Sequence, residues 1–361
     1  MSWQYLFLLA SIYFRNSQAA SSCPKDAILS SDGSKCFYVI TVESMFDQAS
    51  LICHHLGFHY ASITNEEDNM LVSKAARKIL RRTGKSSFDV RLGGSFSTVS
   101  NSSKWDNGDA VTYTNYMEDD LRYVNYSIPH IHPIMLDTKT KLWKKSSILS
   151  EKPFVCQGRS QDLKALKPSE TCPEASIPSS DGKKCFYLVA IPKTCTEASL
   201  VCSQAGLQFA SITCENDNTE LSKIARHILR YTGNKSGLLL GGEYNKESKK
   251  VLWENGDHAN YSNYKKSLSV TLESLLEDSY LGQTMEAVRQ LRPSNCIVLS
   301  TETKTWKTEE EVIPNRPQMP FLCEKKLTVN SVQSTKTEMI PDLVLKKLGT
   351  QQYSRIKPKG S

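Results

Sequence analysis

Three groups of residues in this chain could do chemistry. Eleven cysteines could oxidise in pairs. Glu118, Asp119 and Asp120 are adjacent hard oxygens of the kind a cation takes, and His130 and His132 put two imidazoles on one face of an extended strand, as some zinc sites do. The ionic groups have plainer readings. An acidic run is ordinarily a solvated loop, no third ligand can be assigned to the histidine pair, and His54 and His55, on different faces of their helix, read as surface residues. Hydrolytic and phosphate-handling chemistry is not written here: there is no Gly-x-Ser-x-Gly elbow, no His-Glu-x-x-His helix and no phosphate loop. Gly93-Gly-Ser-Phe-Ser97 lacks the closing glycine and falls on an expected strand. Neither an enzyme nor a cofactor is expected.

Cysteine use on this scale is rare in a reducing cytosol and normal in exported domains. Tyr5 to Phe14 is almost wholly apolar, too short to cross a bilayer, and leads to the small residues Ser17-Gln18-Ala19-Ala20, so residues 1–19 read as a signal peptide. No later apolar run reaches spanning length. The reading is of a secreted, extracellular chain without a transmembrane anchor, with glycosylation acceptors at Asn101, Asn125, Asn234 and Asn260. The net charge of +7 disappears once it is located. Arg15 leaves with the leader, and from Lys325 onward eight basic residues stand against Glu338 and Asp342, an excess of six. A neutral body is no phosphate-tracking surface, so no nucleic-acid partner is expected. Residues 326–361 read as a basic, solvated tail.

The elements that must position these groups come twice. Trp105-Asp-Asn-Gly-Asp-Ala-Val-Thr-Tyr113-Thr-Asn-Tyr116 returns as Trp253-Glu-Asn-Gly-Asp-His-Ala-Asn-Tyr261-Ser-Asn-Tyr264, each a Trp before an Asn-Gly turn with tyrosines that alternate beyond it as in a half-buried strand. Both copies open on Cys-Pro, Ser-Asp-Gly and Cys-Phe-Tyr, a short hairpin that Cys23 with Cys36 and Cys172 with Cys185 would close. A helix follows in each, carrying Phe46, Ala49, Cys53 and Leu56, or Cys195, Ala198, Cys202 and Ala205, and stopping at Gly57 or Gly206. A second helix carries Val72, Ala76, Ile79 and Leu80, or Leu221, Ala225, Ile228 and Leu229. Thr64 with Glu67 reads as a capping box in the first copy only. Short strands then run to Pro153-Phe-Val-Cys156 and Pro320-Phe-Leu-Cys323. Those closing cysteines are expected to return to Cys53 and Cys202, and tying off a loop of about 100 residues is worth about 4–5 kcal/mol in the chain-entropy picture. Two helices followed by strands make an α+β domain. The division expected is residues 23–157 and 172–325, joined by a linker at 158–171.

These residues carry a resemblance. The helical cysteine, Leu92-Gly93-Gly94 or Leu240-Gly241-Gly242, the Trp-x-Asn-Gly turn and the closing Pro-Phe-x-Cys resemble, in that order, the long form of the C-type lectin-like domain. The likeness covers about 290 residues. It implies two such domains in tandem, each with two helices and antiparallel sheets.

In the calcium-dependent sugar binders of that family a long loop carries Glu-Pro-Asn or Gln-Pro-Asp, and the next strand Trp-Asn-Asp. Here Trp143 is followed by Lys144 and Lys145, and Trp306 by Lys307 and Thr308, so the oxygen cage is missing and no metal is expected. The resemblance also implies a disulfide at the base of the long loop. The first copy has neither cysteine, and the second has Cys296. Of the leftover thiols Cys195, Cys214 and Cys296, the pair Cys195–Cys214 is expected, leaving Cys296 as the orphan and a candidate for a disulfide-linked dimer. The second long loop, Tyr264 to Cys296, is about fifteen residues longer than the first. Its Leu272, Leu275, Leu276, Met285, Val288 and Leu291 are spaced as in a small helical cap. Ligand contacts would fall on such loops, with Glu118, Asp119, Asp120 and His132 as candidates in the first copy and Leu276 and Tyr280 in the second. The expectation is a recognition protein for a glycan or protein ligand, in extracellular defence or adhesion. A calcium-dependent lectin and a disulfide-linked structural protein are the alternatives.

Overall fold

The computed structural model describes residues 23–24, 26–85, 87–118, 131–160, 172–173, 175–232, 237–245, 248, 250–264, 296–308 and 318–327. The first copy holds β1 (Ile28–Leu29), β2 (Lys35–Ser44), α1 (Phe46–His55), β3 (His59–Tyr60), α2 (Glu66–Arg82), β4 (Asp89–Ser97), β5 (Ser102–Trp105), β6 (Ile131–Asp137), β7 (Trp143–Lys145) and β8 (Lys152–Arg159). The second repeats it as β9 (Ile177–Pro178), β10 (Lys184–Lys193), α3 (Cys195–Gln204), β11 (Gln208–Phe209), α4 (Glu215–Thr232), β12 (Leu238–Asn245), β13 (Lys250–Trp253), β14 (Cys296–Leu299), β15 (Trp306–Thr308) and β16 (Met319–Lys326). The two sheets have one order, β1-β2-β8-β4-β6-β7 and β9-β10-β16-β12-β14-β15. In each, the first long strand pairs antiparallel with the last, Tyr38 opposite Cys156 and Tyr187 opposite Cys323, so the ends of a copy meet. The architecture is α+β, one topology built twice in tandem.

The Leu-Gly-Gly strands show why glycine stands where it does. A Cβ on Gly93 would lie 2.6 Å from the Tyr60 backbone, and one on Gly94 would lie 2.5 Å from the Trp105 ring. Gly241 and Gly242 meet Phe209 and Trp253 in the same way. Bare backbone there lets the second hairpin strand and the short strand before the second helix close onto the sheet.

The start of α2 departs from expectation. Asn65, not Thr64, is the N-cap, its side chain accepting from the Asp68 amide. Cys214 holds the corresponding place before α4, and the capping box lies instead at Thr194–Glu197 on α3. Nor do the tyrosines beyond the Asn-Gly turn form a ladder strand. Residues 109–115 run outside the sheet and join it only at Tyr116 opposite Trp143, because Tyr113 and Tyr116 pack edge-on against the buried Trp143 ring at 5.5 and 5.4 Å.

Strands β2 and β10 are buried on both faces. Phe37 and Val39 enter the core of their own copy. Tyr38, Ile40 and Val42 enter a second core shared with Tyr187, Val189, Ala198, Val201 and Cys202 of the other copy. Helix α3 lies against β2 and α1 lies against β10, which makes the contact isologous, with each element meeting its counterpart's partner. Gln204 accepts from the Thr41 amide at 2.8 Å and donates to its hydroxyl at 2.8 Å. At the related place His55 Nδ1 accepts from the Ala190 amide at 3.4 Å. His55 is therefore buried, at 5% exposure, and not the surface residue its sequence neighbourhood suggested. The other domain supplies the cover that one copy alone cannot show.

Candidate functional site

Each long loop springs from a pedestal built around a buried tryptophan. Trp143 and Trp306 have no exposed surface. Their Nε1 atoms donate to Asn69 at 2.9 Å and to Asn218 on the second helix of each copy. The same asparagines donate through Nδ2 to the carbonyls of Lys141 and Lys304, which also receive Asn115 and Asn263. Lys141 and Lys304 have φ of 66° and 59°, a costly left-handed backbone for a side chain with a Cβ, held because two amides converge on one carbonyl. The Tyr-x-Asn-Tyr motif thereby fixes where the loop departs.

The turn before that loop is tied down from below. Lys35 reaches Asp109 at 2.7 Å, Asn107 donates to Ser62 at 3.1 Å, and Gln157 accepts from the Ser62 amide at 2.9 Å. Burial opposes ionisation of Asp109, but the hydrogen bonds from Lys35 and Ser62 bring its carboxyl down to about 2. In the second copy Lys184 contacts both Asp257 and Glu324, and Lys326 reaches Asp257 at 2.5 Å. Burial raises Glu324, with Lys184 opposing, while Asp257, despite burial, is held well below the carboxylate range by Lys184 and Lys326. A lysine beside a serine invites a nucleophilic reading. Ser62 and Ser211 have no exposure, however, and both ammonium groups are committed to carboxylates, so the clusters are ties within the fold.

Above lie half-buried Tyr116 and Lys145 against buried Phe96 in the first copy, and half-buried Tyr244 and Tyr264 with buried Thr308 at the matching places in the second. Phe96 and Tyr116 meet edge-on at 5.3 Å, and the Lys145 ammonium stands 5.3 Å over the Phe96 ring. Tyr244 and Tyr264 stack face to face at 3.8 Å. Tyr116 and Tyr264 belong to the repeated motif, but Phe96 and Tyr244 were not singled out from the sequence; their register on β4 and β12, two residues after the paired glycines, is the signal that marks them. Of the expected ligand residues, His132 lies on β6 opposite Phe96 and Glu118 is exposed at the start of the first long loop. His130, Asp119, Asp120, Leu276 and Tyr280 lie outside the described residues, as do the expected helical cap, the leader and most of the linker and tail. Asn101 and Asn260 are exposed; Asn125 and Asn234 are outside the description.

The residues that would have to hold calcium do not fit it. Lys144 places its ammonium 2.7 Å from Asp137 and 3.6 Å from Asp89, Lys145 covers Phe96, and Thr308 is buried. Among the described residues no group of three or more His, Cys, Asp or Glu side chains could hold a metal ion.

The disulfides are Cys23–Cys36, Cys53–Cys156, Cys172–Cys185, Cys202–Cys323 and Cys195–Cys296. The last corrects the expected Cys195–Cys214 pair. Cys195 begins α3 directly beside the first residue of β14, whereas Cys214 sits at the head of α4 with its sulfur 3.3 Å from Ser180 Oγ. The free thiol is Cys214, not Cys296. No helix among the described residues is long and apolar enough to cross a membrane.

No protein-family profile matches the chain, and no curated protein matches it. Solved structures do. Human lithostathine is 20% identical over 40% of this chain and 96% of its own, with a TM-score of 0.32. A calcium-independent type II antifreeze protein is 21% identical over 38% and 95%, at 0.31. The carbohydrate-recognition domain of the human scavenger receptor C-type lectin is 20% identical over 38% and 99%, also at 0.31. Independently of those scores, the order of helices, close-packed glycines, Trp-x-Asn-Gly turns and closing disulfides, met twice in one chain, is the α+β order that the resemblance to C-type lectin-like domains implies.

Proposed function

We propose that the protein is an extracellular recognition module, secreted after loss of residues 1–19 and glycosylated, that binds a glycan or protein ligand without calcium in the family's usual place. The observation that carries this is the fate of the residues after each core tryptophan. Lys144 occupies the space between Asp89 and Asp137 with its own positive charge, and Lys145 caps an aromatic ring, so a cation there would meet two ammonium groups. What remains for recognition is an aromatic and hydrogen-bonding surface at the loop base, with loops that differ in length between the copies and can specify different ligands. A binding role, and no catalysis, suits a surface beneath which Ser62 and Ser211, the serines beside Lys35 and Lys184, are wholly buried. Defence and adhesion are the settings that fit such a protein, and Cys214 is the thiol through which two chains could join.

The test is a glycan array read with calcium and again with chelator, beside a screen of secreted and cell-surface proteins. Binding that survives chelation is expected. Binding abolished by chelator and restored by calcium would overturn the proposal in favour of an ordinary calcium-dependent lectin.

A further inference from the structure

The near-zero charge of the two-domain body hides a segregation. No acidic residue occurs between Asp68 and Asp89 or between Glu220 and Glu243, and both gaps fall on the last turns of the second helix of each copy. In the second copy Lys223, Arg226, His227 and Arg230, at i, i+3, i+4 and i+7, line one groove of about 420 Å³ together with Lys304. In the first copy Lys74, Arg77, Lys78 and Arg81 take the same places on α2. Positive charge thus repeats along about 10 Å of helix surface on both domains.

Ordinary helix faces intersperse acids at these spacings, which offsets the repulsion between like charges. Here the offset is nearly absent. Lys223 has Glu220 at 2.7 Å with both side chains more than half exposed, and Arg226 donates to the carbonyls of Thr301 and Glu302. In the first copy no such anchor holds Arg77, whose Nε is buried and makes no hydrogen bond within the described residues. That copy is also the more basic, with Lys78 where the second has His227 and Lys139 where the second has Glu302. Lys74, Lys78 and Arg81 are exposed, and no apolar side chain interrupts their stripe.

We infer that these two helix faces bind a sulfated polysaccharide. The occupant must be an anion with charges repeated over at least two helical turns, since a single small anion would satisfy one or two of the four side chains. Arginine forks match the planar pairs of oxygens on a sulfate group. Five disulfides place the chain in an oxidising compartment, where sulfated glycans rather than nucleic acids are the polyanions at hand. The faces lie on the helices, apart from the loop-base surface, so this inference stands whether or not that surface binds its ligand without calcium.

The test uses the full chain, tail included. Its affinity for a sulfated polysaccharide is measured across a series of salt concentrations, beside the desulfated polymer and vesicles of anionic phospholipid. Binding is expected to be indifferent to chelator, weaker with salt, and absent for the desulfated polymer. The variant Lys78→Gln/Arg81→Gln/His227→Gln/Arg230→Gln, which changes only exposed helix positions, should keep the wild-type Tm and lose about tenfold in affinity with a shallower salt dependence, since each exposed ion contact contributes a factor of about two to five. An unchanged affinity and salt slope in that variant would place the binding on the tail and overturn the inference. So would equal binding to the desulfated polymer, or tighter binding to the vesicles. Lys145→Ala should leave the measurement unmoved, which separates a failure here from a failure at the loop base.

Discussion

The two copies anchor the same junction by different chemistry. In the second, Cys195 at the head of α3 is bonded to Cys296 at the first residue of β14, a link across 101 residues that pins helix to loop base. In the first, Phe46 and Pro133 take those places and no bond is available. There, wholly buried Arg91 on β4 donates to the carbonyls of Ser44 and Ser147 at 3.3 and 3.1 Å, and to the carbonyl and hydroxyl of Ser150 at 2.7 Å each. The matching position on β12 is Leu239. A covalent tie frees the second copy to be apolar at the strand, whereas in the first a guanidinium gathers the carbonyls of three separate residues. The scaffold tolerates either because what it requires is a fixed base for the long loop.

Breaking the ties is the bluntest way to test that equivalence. Cys195→Ala/Cys296→Ala should cost about 4–5 kcal/mol by loop-closure entropy, seen as a lower midpoint in denaturant, with the other four disulfides intact on peptide mapping. Arg91→Ala should cost about 3 kcal/mol, since it empties the space of a wholly buried side chain and removes a charged donor from the carbonyls of Ser44, Ser147 and Ser150. A loss below about 1 kcal/mol would mean that Arg91 is not the first copy's counterpart of the disulfide. Next come the residues joining the copies. His55→Ala and Gln204→Ala should each cost about 1–2 kcal/mol by leaving the Ala190 and Thr41 amides unpaired in a shared core. Equal penalties would sharpen the isologous description.

The smallest effect concerns the buried ties under the Asn-Gly turns. Asp109 is depressed to about 2, so its contribution is complete above the range where an unfolded carboxyl titrates and is lost as pH falls through about 2. Glu324 is raised by burial and runs the other way, adding relative stability as acid protonates it from its folded pKa down to its unfolded one. Glu324→Gln copies Gln157 into the second domain. It should shift stability at neutral pH by less than about 1 kcal/mol and remove that gain on acidification, read from urea midpoints over a pH series.

Much of the fold could be read from the chain because it is written in local signals: helical stripes, αL glycines after helices, Leu-Gly-Gly strands and a repeat that checks each copy against the other. What was misread depends on partners distant in sequence. Cys195 finds Cys296 only once β14 lies beside α3, and His55 is buried by a domain its own helix pattern does not mention. The signal for that interface was present in the unbroken apolar runs 36–40 and 185–191, which mark strands covered on both faces. Tyr113 and Tyr116 read as strand residues, yet at three residues apart they would face opposite sides of a strand, and both instead pack on Trp143. At the loop base Lys144 and Lys145 were legible as missing ligands, but what they do instead, holding Asp137 and covering Phe96, required the fold.

The account turns on what happens when calcium is offered to the protein. Titration of calcium into chelator-treated full-length chain, followed by calorimetry, should give no saturable heat at micromolar concentrations. Micromolar binding at one site per domain would contradict it, and would return Trp143 and Trp306 to the pedestals of a metal-dependent sugar site.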